Sequence, residues 1–139
     1  MSLSIRNQIP GTVTEVTTGE VMATVKVHLE GGQEITAAVT VEAVEELGLA
    51  AGSAVRALIK STEVSLAVGA VDGLSIRNRI PGTVQGVATG GAMAGVKVGV
   101  AGGELTAAIT REAVDDLGLT AGSPVTALIK STEISLAGA

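Results

Sequence analysis

Thr40-Val41-Glu42-Ala43-Val44-Glu45-Glu46-Leu47-Gly48 is where the period of the sequence changes. Val41, Val44 and Leu47 recur every three residues, the spacing of one face of a short helix. Thr40 occupies the N-cap position, Glu42 lies in the first turn where negative charge is favourable, and Gly48 is placed to end the helix. Before it the pattern is of strands. A strand begins over Val13–Val16 and closes with a turn at Thr18-Gly19. Val21, Ala23, Val25, Val27 and Leu29 then alternate with Met22, Thr24, Lys26 and His28, the period of a half-buried strand. Gly31-Gly32 supplies a hairpin turn, and Ile35, Ala37 and Val39 form the apolar face of the next strand. Two further strands are expected near 53–59 and 62–67. Three strands, a short helix and two strands is the order of a five-stranded OB-type barrel. The fold class is therefore mainly β.

The whole unit occurs twice. Residues 3–32 align with 74–103, and 34–67 with 104–137, leaving only Gln33 unmatched. Identity over these spans is roughly 70%, the mark of an internal duplication. The expected domains are 1–69 and 70–139, joined by the small-residue stretch Val68–Gly73. Thr110 would cap the second helix over Arg111–Leu117. The pairs Pro10-Gly11 and Pro81-Gly82 read as turns, with Asn7 and Asn78 stabilising the chain's entry into them. In strand 53–59, Val55, Ala57 and Ile59 take the core side. Leu58 and its counterpart Leu128 then face outward, either exposed or covered by a partner barrel.

Composition removes several classes of function. The 139-residue chain has no cysteine, one histidine and no Phe, Trp or Tyr. Thiol chemistry and thiolate metal sites are excluded, and the single histidine, His28, has Gly99 at its equivalent position in the second half, so no histidine cluster exists. The formal net charge of −5 and the missing aromatics argue against a nucleic-acid-binding barrel. No apolar run approaches the roughly 20 residues that span a bilayer. No basic-then-apolar leader opens the sequence, so a cytoplasmic location is expected. No nucleophile–base pair is visible, and an enzyme is not expected. Small barrels of about 60–70 residues without aromatic side chains are marginal alone, so each half needs a neighbour.

What the two halves share beyond their core is an inventory of donors. Each opens with Ser-Ile-Arg-Asn, at Ser4–Asn7 and Ser75–Asn78. Each ends with Ala-Leu-Ile-Lys-Ser-Thr-Glu, at Ala57–Glu63 and Ala127–Glu133. Fixed positive charge, hydroxyls and backbone N–H groups are what hold an oxyanion. Ser4 and Arg6 lie two apart on an extended segment, so their side chains share a face. Taken singly, Lys60-Ser61 reads as a solvated turn at a strand end, but the exact second copy, Lys130-Ser131, favours a site that is needed twice. Thr40 and Thr110 read equally as helix caps, worth about 1 kcal/mol each, and as anion contacts at a helix start. Glu63 and Glu133 are expected to anchor a nearby cation or backbone donor rather than a dianion.

The Ser-x-Arg-Asn opening, the Pro-Gly pair, the helix ending in Leu-Gly-Leu and the Ile-Lys-Ser-Thr-Glu strand resemble the Mop-type molybdate-binding domain. Two such domains in tandem resemble a molbindin. The likeness covers about 3–67 and 74–137, nearly the whole chain. It implies OB-like barrels, a cyclic homotrimer, and intracellular storage of molybdate or tungstate at domain or subunit interfaces. It implies contacts from Ser4, Ile5, Arg6, Thr40, Lys60 and Ser61, and from Ser75, Ile76, Arg77, Thr110, Lys130 and Ser131. The oxyanion would be held through its oxygens, with no cofactor and no protein ligand to the metal. The alternatives are a sensing module of a molybdate transporter or regulator, and an oligomer with no ligand.

Overall fold

A computed structural model describes all 139 residues. The first repeat supplies β1 (Asn7–Thr18), β2 (Met22–Leu29), β3 (Glu34–Thr40), α1 (Val41–Leu47), β4 (Ala54–Ile59) and β5 (Ser65–Ala67). The second supplies β6 (Asn78–Thr89), β7 (Met93–Val100), β8 (Gly103–Thr110), α2 (Arg111–Leu117), β9 (Pro124–Ile129) and β10 (Ile134–Gly138). A single 3-10 turn, Ser61–Glu63 or Ser131–Glu133, precedes β5 and β10. The expected strand near 62–67 is thus shorter, because the turn takes up its start.

Each helix forms as its sequence directs. Thr40 Oγ1 accepts a hydrogen bond from the Ala43 N–H at 3.1 Å, and Thr110 does the same for Ala113. Gly48 and Gly118 end the helices in the left-handed region, at φ 61° and 62°, where a side chain would be strained. Val44 is buried, but Leu47 reaches solvent and Leu49, beyond the cap, takes the inner position instead.

Two five-stranded antiparallel sheets result, and their membership crosses the repeat. One has the order β10-β4-β1-β2-β3, the other β5-β9-β6-β7-β8. The last strand of each repeat therefore completes the sheet of the other. Ile134 pairs with Ile59, and Ser65 with Leu128. β10 and the turn before it come round against β3, which curls the first sheet into a half-barrel, and β5 does likewise at β8. A single cluster of 26 buried apolar residues runs through both sheets. The neighbour that each marginal barrel needs is the other repeat.

Pro10-Gly11 is not a turn. It lies inside β1, a 12-residue strand that serves two partners. Asn7–Thr12 pairs with β4 and Gly11–Thr18 with β2, with a bulge between Val13 and Glu15 that bends the strand from one to the other. Pro10 has only β4 opposite it, so its missing N–H costs no ladder bond. A Cβ on Gly11 would fall 2.8 Å from the His28 carbonyl oxygen, and one on Gly82 2.6 Å from that of Gly99. The glycine is required by this close approach.

Asn7 and Asn78 do not stabilise a turn either. They are the two buried polar residues, 4% and 3% exposed. Asn7 Nδ2 donates to the Thr106 carbonyl at 2.9 Å, and Asn7 Oδ1 accepts from the Thr106 N–H at 2.8 Å. Asn78 grips the carbonyl and N–H of Thr36 in the same way. Thr36 and Thr106 belong to β3 and β8, which are edge strands. Each side-chain amide thus stands in for a missing neighbouring strand and staples one sheet to the other.

Leu58 and Leu128 are 7% and 6% exposed within a single chain. They lie outside the 26-residue cluster yet are already covered, so they give no sign of a partner. Val21, expected on the buried face of β2, precedes that strand and is 70% exposed. Gln33, the unmatched residue, donates from Nε2 to the Ala101 carbonyl at 2.8 Å and ties the β2–β3 hairpin to the β7–β8 hairpin.

Candidate functional site

The opening segment of each repeat and its Lys-Ser-Thr end meet within that repeat. An open recess of about 220 Å³ is lined by Ser4, Ile5, Arg6, Lys60, Ser61 and Thr62. Its counterpart of about 230 Å³ is lined by Ser75, Ile76, Arg77, Lys130, Ser131 and Thr132. The cause is the register of β1 on β4. Asn7 pairs with Ile59, so residues 4–6 leave β1 where Lys60 leaves β4. Asn78 paired with Ile129 does the same in the second repeat.

The recess is rich in positive charge and lacks carboxylate. Lys60, Lys130, Arg6 and Arg77 make no ion pair; the two ion pairs present, Lys26–Glu15 and Lys97–Glu104, lie on the sheets. Arg6 donates from Nε to the Ser4 carbonyl at 3.1 Å, and Arg77 to that of Ser75 at 3.0 Å. These bonds fix the arginine against its own segment and leave further guanidinium donors free. Glu63 and Glu133 sit in the 3-10 turns but line neither recess and pair with no cation, so the expected anchoring is not formed.

Ser61 Oγ and Ser131 Oγ are the buried side-chain oxygens with no hydrogen-bond partner. A buried hydroxyl left unpaired costs about 1–3 kcal/mol. Ser61 and Ser131 line the recesses, and a turn of the side chain would bring this shielded hydroxyl onto an anion oxygen there. Thr62 and Thr132 line the recess too, and were missed as site residues; their place next to Lys-Ser in both copies was the available signal. Thr40 and Thr110 lie elsewhere, at the helix starts, and line neither recess. Beside them stand exposed apolar side chains. Val21 and Met22 flank Thr40, and Met93 flanks Thr110.

Residues 3–66 and 74–136 each match the TOBE domain. The chain belongs to the TOBE-domain family, with two copies in tandem. It is 40% identical over 139 residues to the molybdenum-pterin-binding protein MopA of Rhodobacter capsulatus. It is 39% identical over 139 residues to the molybdenum transport protein ModE of Herbaspirillum seropedicae. Each alignment takes in 99% of this chain but 52% of the relative, so the chain spans about half the length of these proteins. Molybdenum-pterin-binding protein 1 of Clostridium pasteurianum, 41% identical over 66 residues, matches a single repeat's length with 97% of its own. Among solved structures, the cytoplasmic molybdate-binding protein ModG with molybdate bound superposes with a TM-score of 0.97 at 39% identity, all of both chains being covered. No helix here is long and apolar enough to cross a membrane.

Proposed function

We propose that this protein binds molybdate, and tungstate by the same chemistry, as a cytoplasmic store that buffers the free oxyanion. The observation that carries this is the composition of the recess: two unpaired cations, hydroxyls including an unpartnered buried Ser61 Oγ, and no carboxylate. Membership of a family with molybdate-binding relatives names the anion. The role is in binding, and no residue is assigned to catalysis.

Molybdate is a tetrahedral dianion with acceptors on all its oxygens. Arg6 and Lys60 would supply charge, while Ser4, Ser61, Thr62 and the Ile5 N–H supply direction. Ser75, Ile76, Arg77, Lys130, Ser131 and Thr132 would do so in the second recess. The recess is open, and closing it calls for a second surface. Thr40 and Thr110 fit that part. Their hydroxyls accept from the helix N–H and keep a hydrogen to donate. The exposed Val21, Met22 and Met93 beside them suit burial against another copy. A cyclic homotrimer, in which one subunit's helix start covers the next subunit's recess, joins these halves of the donor set.

Native mass spectrometry after incubation with molybdate tests both parts, since subunit number and bound ions are read together. A trimer retaining molybdate is expected; a monomer that retains none defeats the proposal. Selectivity follows from a site without acceptors. A protonated oxyanion would bury its O–H against donors, at a cost of about 1–3 kcal/mol. Phosphate in large excess at pH 7 should therefore leave bound molybdate in place, and sulfate, smaller but fully ionised, should compete weakly in equilibrium dialysis. Displacement by equimolar phosphate would place an acceptor in the site.

A further inference from the structure

The two recesses are lined by the same residue types, but the segments that form them are held differently. In the first repeat, Gln8 donates from Nε2 to the Ile5 carbonyl at 3.0 Å, and Arg56 Nη1 donates to Gln8 Oε1 at 2.9 Å. In the second repeat both residues have changed together: Arg79 replaces Gln8 and Thr126 replaces Arg56. Arg79 reaches the segment directly. Its Nε donates to the Ile76 carbonyl at 3.1 Å, Nη2 to Leu74 at 2.7 Å and Nη1 to Val71 at 3.2 Å.

The result is a difference in restraint at equivalent places. The Leu74 carbonyl accepts from two arginines, Arg79 at 2.7 Å and Arg77 at 3.1 Å. Its counterpart, Leu3, accepts only from Arg6, at 3.5 Å. The Arg77–Ser75 and Arg79–Ile76 bonds have counterparts in Arg6–Ser4 and Gln8–Ile5, but Arg79 also ties the chain ahead of Ser75 at Leu74 and Val71, whereas the chain ahead of Ser4 has one long bond, at Leu3. Each repeat has one extra cation behind its segment, Arg56 or Arg79, so charge alone does not separate the sites. Preorganisation does, because a donor already fixed in place loses less freedom when the ligand arrives.

We propose that the two recesses of one chain bind the oxyanion with different affinity. The Ser75–Arg77 recess is the tighter, and Arg79 is the positioning residue that makes it so. The inference rests on the binding function proposed above. Graded sites would let one chain hold a tightly bound reserve and exchange a looser fraction with the surroundings.

Calorimetric titration of the intact assembly with molybdate tests this. The wild type should show two classes of site in equal number. Arg79→Gln, which installs the residue of the first repeat, should weaken the tighter class by roughly 3- to 10-fold and spare the other. Arg79→Lys should not restore it, because a single ammonium cannot span three carbonyls. The ratio of the two affinities should persist near 1 M salt, where the screening length is about 3 Å and a through-space charge effect would fade. In ligand-free protein, amides of residues 74–77 should exchange faster in Arg79→Gln, while those of 3–6 are unchanged. Wild-type protein that binds no molybdate defeats the binding function itself. Wild type with one class of site, an Arg79→Gln variant unchanged in both classes, or full rescue by lysine overturns the inference and leaves the function standing.

Discussion

At the scale of single residues, the division is between groups that hold the fold and groups the fold leaves free. Lys60 and Lys130 are exposed, unpaired and outside the core. Replacing either by alanine should weaken oxyanion binding by roughly 2–4 kcal/mol at the affected site, since a desolvated dianion loses a charged partner. The melting temperature without ligand should hardly move; calorimetry showing unaltered affinity and ion count would remove these lysines from the site. Asn7 belongs to the other group. Asn7→Ala leaves the Thr106 N–H and carbonyl without their partner, and should cost about 2–3 kcal/mol in urea unfolding. A variant as stable as the wild type would mean that water satisfies Thr106. That Arg6, Lys60 and Ser61 and their second-repeat counterparts gather in one recess per repeat was legible, because the short motifs that carry them recur unchanged. The role of Asn7 was not. An asparagine beside Pro-Gly reads locally as turn chemistry, whereas its actual partner is 99 residues away.

Secondary-structure elements follow their sequence closely where the period is clear. α1 and α2 begin and end at the expected cap residues, and β2 and β3 bury the alternating face. β1 departs because Pro-Gly marks two different things: a reversal of the chain, or a bend where two strands come too close for a side chain. Only the neighbouring strand decides between them, and here the His28 carbonyl does. The final strands were ambiguous for another reason. Val64-Ser65-Leu66-Ala67 and Ile134-Ser135-Leu136-Ala137 are nearly the same sequence, so either fits either sheet. The exchange has a measurable consequence. Ile134 is a fully buried side chain in the sheet built from the first repeat. Ile134→Ala should destabilise the protein by about 2–5 kcal/mol. It should also raise amide exchange in β4, its partner, more than in β9. Loss of protection centred on β9 would contradict the exchanged pairing.

For the whole molecule, two half-barrels share one core, and this ties the repeats into a single unit. The first repeat alone, residues 1–69, keeps β1 to β5 but lacks β10, so its sheet must find another last strand. Folding its own β5 back onto β4 would close the sheet. It would also redirect the chain after the Ser61–Glu63 turn and leave bare the apolar face that normally meets the second repeat. Exchanging β5 with a second copy keeps every local conformation and every type of contact now present. It asks only for the entropy of association, which a shared apolar core of this kind can offset. The Asn7 staple supports the same outcome, because its partner strand in the second copy would be β3, as Asn78 already uses Thr36 in the intact chain. We therefore expect residues 1–69, purified at micromolar concentration, to sediment as dimers or as multiples of them, with an unfolding midpoint that rises with protein concentration. A folded monomer of this half, with a midpoint independent of concentration, would show that the strand closes on its own sheet and that exchange in the intact chain is set by the Val68–Gly73 linker rather than by the core.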